Sequence, residues 1–371
     1  MLLTEIIINR IKNEGPLSFR DFMEIALYFP ELGYYNSKKN KIGQDGDFYT
    51  SANLSESFGA MIGRQIEEMW EILDRKPFKI IEYGAGTGLL CRDILHYLKN
   101  NSTLYKTLNY CIIEKSESMR NVEKKYLIEK VTWHNSIREI PDINGCILSN
   151  EVIDNFSVHQ VVMDEELKEV FVDYDNGFIE VLQPAKKKLK DYFKTLKIVL
   201  PKGYRTEINL EAISWIKEVS QFLNKGYIIT IDYGSFSSDL YRNARSSGTL
   251  LCYNNHQKNE NPYQLIGYQD ITSHTNFSAL GRWGLKYGIN YCGMIDQTNF
   301  LRALGIKDYQ NRALNNHLCK SQVKIHESYI NYGLLMAMGI KFKVLIQQKG
   351  INQNSLSGLK FAKTSPIKTI E

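Results

Sequence analysis

An α/β fold with a mostly parallel sheet and helices on both faces is predicted by three observations. Short apolar runs alternate with helical segments from Phe78 to Asn150. A glycine-rich turn joins the first of those runs to the helix behind it. A period-two stretch over 158–183 interrupts the alternation and reads as an inserted antiparallel meander with turns at Asp164-Glu165 and Asn176-Gly177.

The elements follow in order. Leu3, Ile7 and Ile11 fall on one stripe, which predicts an amphipathic helix to about Asn13. Gly15-Pro16 breaks it, Ser18 is the N-cap of a second helix reaching Tyr28, and Pro30 stops that one. Residues 31–50 are rich in Gly, Asn and Tyr without a helical period, hence a loop. A helix from about Leu54 to Leu73 carries Phe58, Ile62, Ile66, Met69 and Leu73 at core spacing. "FKIIEYG" is then a strand, "TGLLCRDILHYLK" a helix and "YCIIEKS" a second strand. A helix around 117–129, the strand "VTWHN" and the strand "GCILSNE" continue the series.

Beyond the meander, "NLEAISWIKEVSQFLNKG" is a helix with Asn209 as N-cap and Gly226 as its stop. "YIITIDYG" (227–234) resumes the sheet. Residues 235–285 are too long for a simple connector, and their aromatic and polar content predicts an ordered insert. A helix around 320–338 and the strand "KFKVLIQQ" close the fold, and the tail past Gly350 reads as frayed. The domain reading is an N-terminal helical cap and lid loop over 1–75 and a main domain over 76–350, followed by a tail over 351–371. The main domain carries insertions at about 157–208 and 235–285.

Composition narrows the function classes. The 371 residues carry 46 Lys+Arg against 41 Asp+Glu, a net charge of +5. That is too balanced to argue for nucleic acid, which calls for a concentrated basic patch. Lys186-Lys187-Lys188 with Lys190 reads as a solvated helix face. The six cysteines are scattered singly, which suits a reducing compartment and offers no zinc-ligand spacing. No apolar run approaches the roughly 18–20 residues of a membrane span. The opening MLLTEIIINRIKNEG lacks the charged-apolar-small order of a leader, so a cytoplasmic location is expected. Oligomeric state leaves no mark on the sequence.

The chemistry concentrates at strand ends. In "IIEYGAGTG" the glycines Gly84, Gly86 and Gly88 allow a tight turn and close approach of a ligand, with helix N–H groups following. Dinucleotide sites favour GxGxxG; here the spacing is GxGxG, with Glu82 two positions ahead. A carboxylate aimed into the turn repels a pyrophosphate and suits an ammonium group, such as the amino-acid end of S-adenosylmethionine. Glu114, thirty positions after Gly84, ends the second strand where it would accept from two ribose hydroxyls. A glycine turn with no ligand is the alternative. Trp133-His134-Asn135-Ser136 ends the third strand, either flanking an adenine ring or serving as core tryptophan and loop amides.

"GCILSNEVIDN" brings Asn150, Glu151 and Asp154 to the mouth of a buried strand, and Asp232-Tyr233-Gly234 ends its neighbour likewise. Ligands of open parallel sheets bind outside these carboxyl ends. Carboxylates there can grip a cationic ligand group by charge-assisted hydrogen bonds. Glu151 then orients the acceptor, Asp154 or Asp232 gives a second acidic contact, and Asn150 positions acceptor or cofactor. A locally satisfied Asn/Asp-rich turn is the competing reading. In "GDFYT" Asp47 and Thr50 are the polar candidates of a lid over the cofactor, with Phe48 walling off water. Tyr233 and His274 are candidate substrate contacts, His274 being the better placed of the two insert histidines.

These blocks, taken with "SFRDFMEIALYFPELGYY", "SNEVIDNFSVHQ", "GTLLCY" and "GYQDITSHTNFSAL" in that order, resemble the MidA-like class I S-adenosylmethionine-dependent methyltransferases over roughly residues 15 to 350. The resemblance implies a Rossmann-like methyltransferase domain and a cofactor site at Glu82, Gly84, Gly86, Gly88 and Glu114. It also implies a protein substrate, since the mitochondrial members of that family methylate an arginine in a subunit of respiratory complex I and help assemble it. The chain departs from the family pattern at Ala52-Asn53 for Pro-Glu, at Phe29 for His and at Asn276 for Asp. The carboxylate lost at Asn276 points to a weaker guanidinium grip or another substrate. The competing functions are a small-molecule methyltransferase, a nicotinamide-dependent oxidoreductase, which Glu82 disfavours, and a non-catalytic assembly chaperone.

Overall fold

Strands of Ile, Leu, Val and Tyr buried on both faces need helices above and below them, and that requirement shapes the larger part of the chain. The structure is a computed structural model describing residues 2–37, 41–43, 46–47, 49–127, 129–315, 332–352 and 355–362. Two units divide it. The insert unit comprises Met1–Phe48, Ile153–Ile216 and Gly234–Arg282; the sheet unit comprises Tyr49–Val152, Lys217–Tyr233 and Trp283–Glu371.

In the sheet unit we number the strands β1 (Phe78–Tyr83), β2 (Leu108–Ile113), β3 (Val131–His134), β4 (Ile143–Asn150), β5 (Leu223–Ser235), β6 (Asn290–Asp296) and β7 (Phe342–Lys349). They lie in the order β3-β2-β1-β4-β5-β7-β6. The first five are parallel, while β7 runs antiparallel to both of its neighbours. Strand order reverses between β1 and β4, the topological switch point where ligands of open sheets settle. Helices α1 (Ser51–Leu54), α2 (Glu56–Ile72), α3 (Leu89–Leu98), α4 (Glu117–Glu123) and α5 (Gln297–Ala303) belong to this unit. Phe58, Ile62, Ile66 and Met69 of α2 are buried in one core with Ile80, Ile94, Tyr110 and Leu148.

The insert unit has its own sheet. His159–Met163, Leu167–Tyr174 and Phe178–Pro184 form the expected meander, extended by Arg205–Ile208 and by the two-residue strand Leu17–Ser18. Helices Leu3–Glu14 and Phe19–Tyr28 match the reading, with Ser18 Oγ accepting from the Asp21 N–H at 3.2 Å as N-cap. The long insert is ordered: Leu251–Asn254, Gln257–Asn259 and Asp270–Thr272 make a three-stranded sheet. The lysines of Lys187–Leu196 are exposed, as a solvated face requires.

Several boundaries differ from the sequence reading. Gly226 does not stop a helix; the strand begins at Leu223, and a Cβ at Gly226 would stand 2.0 Å from the Gly145 carbonyl oxygen. A bare α-carbon therefore keeps β4 and β5 in contact. The helix expected from about Leu54 to Leu73 is Glu56–Ile72, capped by Ser55, whose hydroxyl accepts from the Ser57 N–H, and a separate short helix, Ser51–Leu54, precedes it. Strand β6 and helices Gln297–Ala303 and Ile306–Asn315 went unread. Most of the helix expected at 320–338 lies outside the described residues. Past Gly350, Leu356 and Leu359 are buried and the Gly358 N–H bonds Gln65 Oε1, so this part of the tail is anchored. No helix among the described residues is long and apolar enough to cross a membrane.

Candidate functional site

The glycine turn leaves β1 at Tyr83 and enters α3 at Leu89. Gly84, Gly86 and Gly88 all take positive φ, at 59°, 61° and 80°, a region in which a side chain is strained. A Cβ at Gly84 would stand 3.2 Å from Val152 Cγ2, and one at Gly88 3.0 Å from Leu127 Cδ1. The turn is thus a cradle that any larger residue would fill, and Val152 follows directly on the acidic end of β4.

Glu82 is buried in β1, where its Oε2 accepts from the Tyr110 hydroxyl at 2.8 Å. Burial pushes its carboxyl up to about 7, against the lowering effect of that bond. Glu114 follows the end of β2, with its Oε1 accepting from the Ser116 N–H at 2.7 Å. Burial raises its pKa as well. At the end of β3, Ser136 Oγ accepts from the Arg138 N–H at 3.3 Å and caps a short turn. Trp133 Nε1 donates to Glu123 Oε2 at 2.7 Å, and Lys124 Nζ stands 5.6 Å from the indole centroid. Glu123 is a residue the sequence reading missed; burial, with Glu114 and Glu82 nearby, pushes it up to about 8.

The opposite lip of the switch point is Glu151. Its φ of 56° places a non-glycine residue in the left-handed region, held there by its N–H on the Ile231 carbonyl at 2.9 Å. Its Oε1 accepts from the Ser51 N–H and from Asn150 Nδ2, both at 3.3 Å, while Oε2 accepts nothing among the described residues. Desolvation, with the negative charge of Asp232 nearby, raises its carboxyl to about 8. Asp232 is buried, and its Oδ1 accepts from the Tyr233 N–H at 2.9 Å. Asp232, one of the two acids named as possible seconds to Glu151, reaches it with its charge. Asn150 Oδ1 is enclosed and accepts no hydrogen bond among the described residues. Tyr233 packs edge-on against Phe342 at 5.7 Å between centroids.

Other expected residues have internal roles. Asp154 belongs to the insert unit, buried in the turn Ile153–Asn155, where its carbonyl accepts from the Ser273 N–H. Asp47 is fully buried; Oδ2 accepts from the Tyr34 hydroxyl at 2.8 Å and Oδ1 from the Asn255 N–H at 2.7 Å. With both oxygens engaged it acts as a tie within its own unit. Thr50 donates to Asn53 Oδ1 from its N–H at 3.1 Å and from its hydroxyl at 2.8 Å, so Asn53 serves as the partner that starts α1. Phe48 lies outside the described residues.

His274 Nδ1 faces Arg245 Nη1 at 3.0 Å. Burial, together with that guanidinium, lowers the His274 pKa to about 4 and keeps the ring neutral. Asn276 donates to the Tyr192 and Tyr241 hydroxyls, each at 3.1 Å, and accepts from the Ser237 hydroxyl and the Ala279 N–H. An amide suits this position because it gives and takes at once. The departure at Asn276 is explained inside the fold, without reference to a guanidinium.

The chain matches the family of S-adenosyl-L-methionine-dependent methyltransferases over residues 61–295. It is 26% identical to "Protein arginine methyltransferase NDUFAF7 homolog, mitochondrial" of Caenorhabditis elegans, covering 92% of this chain and 85% of that protein. The Mus musculus protein arginine methyltransferase NDUFAF7 is 25% identical, over 80% of this chain and 72% of its own length. A crystal structure from Burkholderia thailandensis with S-adenosyl-homocysteine bound superposes with a TM-score of 0.87 at 26% identity. That superposition covers 98% of this chain and 95% of the other.

Proposed function

The chain belongs to the S-adenosyl-L-methionine-dependent methyltransferase family, and from that premise we propose that it methylates an arginine side chain of a protein partner. S-adenosyl-L-methionine is the methyl donor; it supplies an electrophilic methyl group on a sulfonium. The residues of the switch point fit that donor. The cradle at Gly84, Gly86 and Gly88 would take the donor where a Cβ at Gly84 or Gly88 would crowd its neighbours, and the buried Glu82 and half-buried Glu114 would offer acceptors for its ammonium and ribose hydroxyl groups. Ser136, which caps the turn after β3, and Thr50 are further cofactor contacts in this reading.

Glu151 is the acceptor ligand in this reading. One observation carries the assignment: a carboxyl at the end of β4 with one oxygen unbonded among the described residues, raised to about 8, in a strained backbone beside Asp232. A guanidinium approaching the pair ionises Glu151, because a positive neighbour favours the carboxylate. The grip aims one guanidinium nitrogen at the methyl group. That nitrogen forms the new N–C bond, the sulfonium–carbon bond breaks with its electron pair left on sulfur, and the nitrogen's proton passes to Glu151. Asn150 Oδ1, which accepts no hydrogen bond among the described residues, would accept from a second guanidinium N–H. Tyr233, next to Asp232 in the sheet unit, is a further acceptor contact in this reading. The names of the protein arginine methyltransferase relatives support arginine of a protein as the acceptor, and the family resemblance carried by the sequence motifs extends the proposal to a respiratory complex I subunit as the partner.

The test is transfer from a donor labelled in its methyl group to a cell lysate, followed by residue-level mass spectrometry. Label on arginine of a discrete protein is the expected result. Label found on lysine, or confined to small metabolites, contradicts the proposal and would favour the small-molecule reading.

A further inference from the structure

Two fully buried polar side chains from distant parts of the sheet unit meet behind Glu151. Gln297 opens α5, and its Nε2 donates to Ser51 Oγ at 3.0 Å, while that hydroxyl stands 3.3 Å from Gln297 Oε1. Ser51 opens α1, and its N–H is one of the two donors to the Glu151 carboxyl. Side chains without water access need partners, and a Ser–Gln pair satisfies both members where two apolar residues would pack without fixing an orientation. Gln297 itself is held firmly. Asp296 caps its helix through the Asn299 N–H at 2.9 Å, and Thr298 ties the first turn to the Leu335 carbonyl at 2.6 Å. We propose that Ser51 and Gln297 are positioning residues that hold the Ser51 N–H on the Glu151 carboxyl and so set its orientation toward the acceptor. The inference rests on the reading of Glu151 as acceptor ligand.

Neither residue touches the reacting atoms in this account. Their action is on Glu151: the N–H of Ser51 stabilises the ionised carboxyl, offsetting part of the desolvation. If Ser51 loses its anchor, its N–H draws away and the carboxylate form is disfavoured further. The Glu151 titration midpoint therefore rises in a variant that breaks the pair.

The experiment is carbon NMR of the full-length protein labelled at the glutamate carboxyl carbon, with the Glu151 signal assigned by its absence in Glu151→Gln. Ser51→Ala and Gln297→Met are each expected to raise the Glu151 midpoint by roughly half a unit or more. Ser51→Thr, which retains the hydroxyl, should return it to the wild-type position. Calorimetric affinity for S-adenosyl-homocysteine is expected to stay within about twofold throughout. Gln297→Met, close in volume, carries the test by itself if Ser51→Ala does not fold. An unmoved or lowered midpoint in Gln297→Met overturns the proposal, as does a parallel loss of ligand affinity, which would mark a purely structural role. If the wild-type protein methylates no arginine, the reading of Glu151 falls while the midpoint shift still stands. If it does and the midpoint does not move, only the positioning pair is lost.

Discussion

Asp47 and Asp270 of the insert unit and Glu151 of the sheet unit differ in how their oxygens are engaged. In the insert unit, Asp270 accepts from the Tyr35 hydroxyl, from Asn155 Nδ2 on both oxygens, and from the Ile271 N–H. Asp47 has each oxygen bonded as well. In the sheet unit, Glu151 accepts two long bonds on one oxygen and none on the other among the described residues. Desolvation does not separate Asp270 from Glu151, since it pushes the first up to about 7 and the second up to about 8. Engagement of both oxygens does. Asp47 and Asp270, with both oxygens bonded, tie their unit together, and Glu151, with one oxygen unbonded among the described residues, is the one of the three proposed to meet a ligand.

That contrast is most exposed to a change at the unsaturated acid. Glu151→Gln removes the ionisable group yet keeps its shape, so methyl transfer should fall about a thousandfold. Calorimetry should find S-adenosyl-homocysteine binding intact. A smaller effect belongs to the cradle. Gly84→Ala forces a side chain into a left-handed backbone and toward Val152, and should weaken the same ligand roughly tenfold. The smallest lies in the saturated set. Tyr34→Phe strips one bond from Asp47 and should lower unfolding stability by about 2 kcal/mol in urea titration, with ligand affinity unchanged. Loss of affinity in Tyr34→Phe would break the division between scaffold and site.

Much of this was legible beforehand, because it depends on local signals. Apolar runs, the GxGxG turn and acids at strand ends are visible within windows of about ten residues. The unread parts depend on distance. Strand β6 carries a glycine and a register shift between Tyr291 and Gly293, which blur its alternation. The two-residue strand Leu17–Ser18 is too short to carry a period. Asp47 read as a lid residue because its partner Asn255 lies 208 positions away, and Ser51 drew no notice because Gln297 lies 246 positions away. Saturation is a tertiary property. The acids of "SNEVIDN" could be listed from the chain, but only the fold distinguishes Glu151 from Asp154 and brings Asp232 into range.

The pH dependence of kcat/KM for arginine methylation tests the role of Glu151 most directly. The carboxylate is the form that grips the acceptor and takes its proton, and in the free enzyme its pKa is raised from 4.5 to about 8. Activity should therefore be low at pH 6, rise through about 8 and level off above it, with that rise absent in Glu151→Gln. A profile already level at pH 6, or the same rise retained in Glu151→Gln, would contradict the account.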